Sequence, residues 1–528
     1  MVSQDTPNVW FATPPFDYHP FAQTHMAGDA FAPCMQAQGP SSRSPERQLA
    51  TVTETPGLTT EAEAGVARGD DADSEADGQT LPSTSGTAFQ GENVVPTPRF
   101  QRLRVITLNF TPSWFSVCMG TGIVSTLLYG LPYSFRGLKV IADIIFGLNA
   151  FLFVLFLSLT VARYAIWPRM LPVMLYHPGQ SLFLGTLPMA ATTLINMCAM
   201  SAAPAWGPKM VTFTWVWWWT NAVLSLLICV GLPFLQFTRQ KHALEQLTAI
   251  WLLPVVATVV QAASGGIVAD ILAPSHARLT LIVSWVLLGT GLSLAFFIMV
   301  LYFLRLAIHK IPPAALIVSA FLPLGPCGQG AFALLKLSST LYKLSNSTGQ
   351  ALSATSVQSS SDAHIIALAI YGASMVAALL LFGLGLVWLI FAVSILLDLW
   401  LVSELKFNLG WWGFTFPLGT FASAASQFGQ EFDSKAFKVL GTILSVIVTL
   451  LWLFISFMTL LKAVKGEIFF SPCLAETGGE PPRSKLPDRR QYNYEPRSEK
   501  ILPSVFSERG ASRSRSRSRS QVRSRPLS

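Results

Sequence analysis

The chain has 528 residues, of which 51% are hydrophobic and only 12% are charged, whereas a soluble domain usually carries about 25% charged residues. This composition excludes an ordinary soluble enzyme and indicates a protein embedded in a membrane. The formal net charge of +8 does not indicate nucleic-acid binding, because much of it lies in the tails and no RNA-binding fold accompanies it.

Residues 1–98 form a region that differs in composition from most of the chain. They are rich in Pro, Ser, Thr, Gly and acidic residues, and they include the acidic run "GDDADSEADGQ" at 69–79. Such a segment cannot bury enough apolar surface to offset the conformational entropy that ordering would cost. We predict that it is a disordered cytosolic N-terminal tail.

Ten apolar segments lie within residues 99–466, which we predict to form one membrane domain. Two of the charge-free runs, at 279–304 and 439–461, meet the requirement of about 20 apolar residues for crossing the hydrocarbon core. The predicted fold class is therefore an all-α polytopic membrane protein with ten transmembrane helices. The segments lie at 110–131, 140–162, 181–203, 212–234, 247–270, 279–305, 312–338, 366–400, 411–430 and 437–463.

The orientation of these segments follows from the short loops. Lys and Arg residues are more frequent in the loops on the side of the N-terminus, and such an excess marks the cytosolic face. The longest loop, between the seventh and eighth segments, contains the N-glycosylation pattern Asn346-Ser347-Thr348, which belongs on the exoplasmic face. A second pattern, at Asn109, falls on the cytosolic border and is expected to stay unmodified. We predict a glycoprotein modified at Asn346, with both termini in the cytosol.

Residues 467–528 are predicted to be a disordered cytosolic tail of basic character. The tail contains the run "SRSRSRSRSQVRSR" at 512–525. Alternating Arg and Ser residues can bind RNA, but no RNA-binding fold accompanies the run. A phosphorylatable tail, or a weak contact with anionic lipid, is the interpretation that we favour.

A proline occurs in every odd-numbered segment, at Pro112, Pro188, Pro254, Pro323 and Pro417. Pro112 is expected in a first helical turn, whereas a proline farther inside a helix removes a backbone donor and frees the carbonyl four residues earlier. Freed backbone groups are tolerated at membrane depth only against protein or a water-filled cavity. The repetition predicts that the odd helices line a pore or cavity. Close packing of helices, in which prolines and small residues are common, is the alternative.

The candidate lining residues are these prolines and nearby small, hydroxyl or amide residues. They are Pro112, Thr121, Thr186, Pro188, Pro254, Pro323, Gly325, Gly328, Gln329, Pro417 and Gly419. A nearly neutral pore with such a lining suits a small monovalent or weakly hydrated anion. Lys336, near the end of the seventh segment, could attract anions at an outer mouth or extend to the lipid headgroups.

Side chains suited to catalysis are not clustered in this sequence. The seven histidines lie in tails, loops or helix borders, the six cysteines have no paired spacing, and no nucleotide-binding loop is present. We predict a protein that is not an enzyme, with no catalytic residues, no metal and no cofactor. A receptor or scaffold that uses the long tails is a further alternative.

Three blocks carry a resemblance to a known family. The blocks "FTPSWFSVCMGTGIVSTLLYGLPY" at 110–133, "FLPLGPCGQGAF" at 321–332 and "WWGFTFPLGTFA" at 411–422 resemble those of the fungal sulfite efflux pumps. These pumps belong to the tellurite-resistance/dicarboxylate transporter family, together with malate permeases and slow-type anion channels. The resemblance covers residues 107–466 and leaves both tails outside.

The resemblance implies a specific architecture and function. It implies five helical hairpins in quasi-fivefold order around a central pore, with an inner ring of odd helices and a phenylalanine of the ninth helix as the gate. That phenylalanine is Phe416, or Phe414 as the second choice. The implied function is sulfite export at the plasma membrane, for detoxification, with malate permeation or general anion conduction as the alternative. A homotrimer is the assembly that the resemblance allows.

Overall fold

The computed structural model describes residues 99–311, 314–349, 352, 360–402 and 405–475. The regular structure of these residues is entirely helical, and the prediction of an all-α polytopic membrane protein is confirmed. The tail of residues 1–98 lies outside the described residues, as does the C-terminal tail from residue 476, so their predicted disorder stays a prediction.

Among the described residues, ten helices form the bulk of the membrane domain, and we label them α1 to α10 in chain order. A short helix, Arg99–Leu108, precedes them. The ten are α1 Phe115–Tyr129, α2 Leu138–Ile166, α3 Thr186–Met197, α4 Pro208–Arg239, α5 Leu252–Ala269, α6 Pro274–His309, α7 Leu324–Thr348, α8 Ser360–Val402, α9 Thr415–Glu431 and α10 Lys435–Lys465. Helix α3 continues through a π-turn, Cys198–Ala202, into Ala203–Trp206.

Length and hydropathy support most, but not all, of the predicted spans. Within the described ranges, eight helical segments are long and apolar enough to cross a membrane. Helices α1 and α9, of 15 and 17 residues, are not among them. The count of ten transmembrane helices therefore stays a prediction.

Burial alternates along the chain between odd and even helices. In the segments that contain α3, α5 and α7, between 83% and 100% of the apolar window is buried inside the protein, whereas the even helices bury only 28% to 39%. Most residues of α1 and α9 are buried as well. The odd helices are therefore the interior of the molecule, and the even helices present apolar surface outward, as lipid contact requires.

Contacts between helices close the odd set into a ring. Helix α1 contacts α3, α3 contacts α5, α5 contacts α7, α7 contacts α9, and α9 returns to α1. Each even helix packs against its two inner neighbours: α2 on α1 and α3, α4 on α3 and α5, α6 on α5 and α7, α8 on α7 and α9, and α10 on α9 and α1. This arrangement is the ring of five hairpins that the resemblance implies.

The prolines of the inner helices lie at helix starts. A 3-10 turn precedes every inner helix, and Pro188, Pro254 and Pro417 are each the third residue of the α-helix that follows. Pro323 directly precedes α7, and Pro112 begins the 3-10 turn before α1. The first turn of a helix has no partner for its N–H groups, so a proline costs little there. The expected interior kinks are corrected to transitions from 3-10 to α-helix.

Glycines allow the inner helices to approach closely. A Cβ atom at Gly328 would lie 2.7 Å from the backbone nitrogen of Phe421, and one at Gly185 would overlap the carbonyl of Leu253. A Cβ at Gly120 would overlap Thr415, and one at Gly122 would overlap Thr193. The small residues of the inner helices therefore serve helix packing as well as any pathway.

A donor at the end of the even helix closes four of the five hairpins. In each case the side chain donates to a main-chain carbonyl in the segment that precedes the inner helix of the same hairpin, and so pairs a backbone acceptor of that segment. The pairs are Arg163 with Phe110 (2.5 Å), Gln240 with Leu175 (2.9 Å), Arg305 with Glu245 (3.2 Å) and Lys462 with Phe407 (3.3 Å).

Candidate functional site

Two cavities lie at opposite ends of the inner ring. The N-end cavity, of about 450 Å³, is lined by residues at the starts of the five inner helices or in the turns before them, including Met119, Thr186, Leu253, Leu322 and Gly413. The C-end cavity, of about 330 Å³, is lined by residues farther along the same helices or just after them, including Thr126, Met200, Ile267, Lys336 and Ser423. Because each cavity draws on all five inner helices, both lie on the axis of the ring.

Phe416 lies on the axial face of α9, between the two cavities. Gly413, three residues earlier, lines the N-end cavity, and Ser423 and Gln427, seven and eleven residues later, line the C-end cavity. These spacings place the four positions on one face of a helix. The side chain of Phe416 is 3% exposed. Its buried aromatic ring therefore lies at the level of the ring axis between the two cavities.

Two further apolar side chains share this level. Ile123 lies four residues after Met119, which lines the N-end cavity, and three before Thr126, which lines the C-end cavity. A Cβ at Gly419, one turn after Phe416, would contact Ile123. Val256 follows the lining residue Leu253 by three positions and is 5% exposed. An apolar layer therefore separates the cavities.

Phe414, the second candidate for the gate, has different surroundings. Its ring packs edge-on against Phe321 at 4.8 Å between centroids and also against Trp411 at 5.7 Å. The ring contacts recorded among the described residues do not include Phe416. Phe414 therefore belongs to an aromatic cluster at the start of α9, and the geometry favours Phe416 for the axial position.

Gly325 and Gln329 of α7 line neither cavity, so their role in a pathway stays a prediction. They fall between Leu322, which lines the N-end cavity, and Phe332, which lines the C-end cavity. A Cβ at Gly325 would meet only Val256, at 4.0 Å. The side chain of Gln329 is buried, and no hydrogen bond is recorded for its amide within the described ranges.

Other predicted lining residues have packing roles instead. Thr121 faces α10, where its hydroxyl accepts a hydrogen bond of 3.1 Å from the indole nitrogen of Trp452. Gly328 and Gly419 face neighbouring inner helices. None of Pro112, Pro188, Pro254, Pro323 and Pro417 is among the residues that line either cavity.

Thr186 has both a lining and a structural position. It lines the N-end cavity, and its hydroxyl donates to the carbonyl of Pro112 at 3.1 Å. Ser319, whose carbonyl lies four residues before Pro323, also lines this cavity, although the sequence analysis did not include its side chain among the lining groups. The Ser319 hydroxyl is buried and lies near the Tyr302 hydroxyl, and among the described residues neither of the two makes a hydrogen bond of ordinary length and angle. The position of Ser319 four residues before Pro323, on the same predicted lining segment, could have marked its hydroxyl as a lining group.

Lys336 lines the C-end cavity, and its ammonium group is engaged in an ion pair. Its ammonium group pairs with the carboxylate of Asp270, at the end of α5. The predicted attraction of anions by an isolated lysine does not fit this placement. A second pair on the same side, Asp433 with Lys438, lines neither cavity. The hydrogen bond from Lys438 holds the pKa of the Asp433 carboxyl below its usual value.

The segment after α10 packs against the N-end cavity. Glu467, Ile468, Phe470 and Pro472 all line it. The guanidinium group of Arg163, which is fully buried, donates to the Ser471 hydroxyl at 3.1 Å and lies 3.8 Å from the Cys473 sulfur. Residues 467–474 are therefore packed, and the predicted domain boundary at 466 divides a structural unit.

Truncation of the C-terminus should distinguish this packed segment from the remaining tail. A chain that ends at Ala475 or Arg497 is expected to keep its thermal stability and transport, because the contacts of Arg163 remain. A chain that ends at Gly466 leaves a buried cation without two of its partners and should lose several kcal/mol of stability. Thermal unfolding in detergent and transport per molecule are the measurements. Equal stability of the three chains would contradict a structural role for residues 467–475.

Comparison with known proteins gives consistent matches. Residues 109–460 match the model of the voltage-dependent anion channel family, SLAC1. The chain is 42% identical to the sulfite efflux pump SSU1 of Arthroderma otae, over 73% of this chain and 99% of that protein. It is 43% identical to the pump of the same name from Trichophyton rubrum, over 68% and 92%. It is also 26% identical to the malic acid transport protein of Schizosaccharomyces pombe, over 73% and 84%.

Proposed function

The chain belongs to the voltage-dependent anion channel family, and from this premise we propose that it exports sulfite from the cell through the axis of its inner ring. The observation that carries the proposal is the pair of axial cavities separated by the layer at Phe416. The identity of more than 40% to sulfite efflux pumps supports sulfite as the substrate.

The chemistry of the pathway suits a small anion. All five inner helices begin at the N-end cavity, and the start of a helix carries the positive end of its dipole. Ser319 lines the N-end cavity, and Gln329 is buried farther along α7. We propose that the Ser319 hydroxyl and the Gln329 amide donate to a passing oxyanion. Donors without fixed charge bind an anion weakly enough to release it.

The membrane potential would drive export without a nucleotide. We propose that the N-end cavity faces the cytosol of a plasma membrane. The potential is worth about 2.3 kcal/mol per elementary charge per 100 mV. An interior that is about 150 mV negative therefore favours the outward movement of a monovalent anion by about 3.5 kcal/mol, which is several hundredfold. Removal of sulfite from the cell is the detoxification that we propose.

In this mechanism Phe416 is the gate. Its ring, together with Ile123 and Val256, forms an apolar layer that excludes water, and an apolar constriction stops ions by dewetting. Anion passage requires the ring to turn aside toward the small residues of the neighbouring helices. The family resemblance also supports a homotrimer, in which each protomer has its own pathway.

Transport by the purified chain in liposomes tests the function. Radiolabelled sulfite, malate and chloride would be loaded inside, and efflux would be measured under an imposed potential. We expect faster efflux of sulfite than of malate. Faster malate efflux would favour the alternative of a dicarboxylate permease, which the relative from Schizosaccharomyces pombe supports. Efflux of none of the three anions would overturn the proposal.

The proposed orientation predicts a modification at Asn346. This residue is exposed in the last turn of α7, which the proposal places on the exoplasmic face. Enzymatic deglycosylation should shift the electrophoretic mobility of the wild type but not of Asn346→Gln. Asn109→Gln is the control, and it should shift as the wild type does. A shift that depends on Asn109 alone would invert the topology.

A further inference from the structure

The C-end cavity carries two opposite charges that cancel. Among the residues that line it, the charged ones are Asp270 and Lys336. Their side chains are 28% and 17% exposed and form an ion pair between the end of α5 and the middle of α7. The pair therefore connects two neighbouring inner helices at the wall of the cavity.

The surrounding protein holds Asp270 in this position. One carboxylate oxygen accepts from Lys336, and the other accepts from the Thr340 hydroxyl at 2.9 Å. The carbonyl of Gly266 lies 3.2 Å from the same hydroxyl, whose single proton is shared between the two acceptors. A Cβ at Gly266 would lie 3.0 Å from the Lys336 side chain, so this glycine lets the lysine stem lie against α5.

The remaining lining groups of the cavity add no charge. The α9 side contributes Ser423, Ser426, Gln427 and Gln430. Glu431, next to this face, is engaged by the Tyr371 hydroxyl and by the Gln427 amide, at 2.6 Å for the amide. The balance of charge in the cavity therefore depends on the pairing of Asp270 with Lys336.

We propose that Asp270 is a specificity-determining residue, which cancels the charge of Lys336 and so makes the C-end cavity favour singly charged over doubly charged anions. The inference rests on the proposed function, in which this cavity is the exit of the pathway. Near neutral pH, sulfite exists both as the monovalent hydrogen sulfite and as the divalent ion. A cavity without net charge binds the monovalent form only weakly by electrostatics, and so releases it readily.

The size of the effect follows from Coulomb's law. An unpaired ammonium group attracts a divalent anion twice as strongly as a monovalent one. For an anion roughly 7 Å away in a water-filled cavity, the second negative charge increases the preference for a divalent over a monovalent anion by about threefold. A drier cavity would increase this factor.

The test uses chloride and sulfate, whose charges do not change near neutral pH. Reversal potentials of the purified chain in planar bilayers give the sulfate-to-chloride permeability ratio. Asp270→Asn should raise this ratio about threefold, because it exposes Lys336. Lys336→Gln should lower it by a similar factor, because it leaves Asp270 unpaired. The double variant Asp270→Asn/Lys336→Gln is neutral again and should return to the wild-type ratio.

Asp433→Asn is the matched control, since it breaks an aspartate–lysine pair on the same side that lines neither cavity. It should leave the ratio unchanged. An unchanged ratio in both single variants would overturn the inference, as would a double variant that deviates further than either single one. If Asp270→Asn fails to fold, Lys336→Gln and the double variant decide the question. Absence of any anion conductance in the wild type would instead refute the proposed function.

Discussion

Replacement of Phe416 by alanine is expected to raise the anion conductance per molecule by about tenfold or more, which corresponds to about 1.4 kcal/mol of barrier for each factor of ten. Phe416 lies between the two cavities on the axial face of α9 and is 3% exposed. Loss of its ring lets water join the cavities, and the barrier caused by dewetting is removed. Selectivity among small anions should fall at the same time.

Electrophysiology, normalised to the amount of protein in the membrane, measures this effect. Phe414→Ala is the matched control, because it removes the same ring two residues away from a cluster with Phe321 and Trp411. Its main effect should be a loss of about 3–5 kcal/mol in stability, without a gain in current per molecule. A lower current per molecule in Phe416→Ala would refute the gate, and a gain confined to Phe414→Ala would transfer the role to that residue.

Replacement of Gly328 by alanine is expected to destabilise the inner ring. The new Cβ would lie 2.7 Å from the backbone nitrogen of Phe421 and 2.8 Å from its Cα. A backbone cannot move aside as a flexible side chain can, so α7 and α9 must separate. Overpacking of this kind costs about 1–3 kcal/mol, and separation of two ring members should lower both the unfolding temperature and the yield of folded protein.

Gly289→Ala, in α6, is the control for this substitution. A Cβ at Gly289 would meet nothing within 4 Å, and alanine is the better helix former, so its stability should equal or exceed that of the wild type. Thermal unfolding of the three chains in the same detergent makes the comparison. If Gly328→Ala unfolds at the wild-type temperature, the close approach of α7 and α9 is contradicted.

The sequence by itself was sufficient to predict which segments lie inside the ring. Proline and small residues recur in the odd segments, and these are the helices that the structure buries. The reason is physical: an inner helix must pack against neighbours on all sides, so it carries small residues, whereas an outer helix needs bulky apolar residues toward lipid. The same pattern did not reveal that the prolines start helices rather than bend them.

Only the tertiary structure decided how each inner helix is rotated. It placed Thr121 toward Trp452 and Phe414 in an aromatic cluster, and it brought Asp270 to Lys336 from another helix. In a soluble protein, the contrast of apolar and polar faces would predict such rotations. Here the inner helices are surrounded by protein and the outer ones face lipid, so hydrophobicity differs little around each helix. Rotation is then set by contacts between residues far apart in the chain, which no local pattern contains.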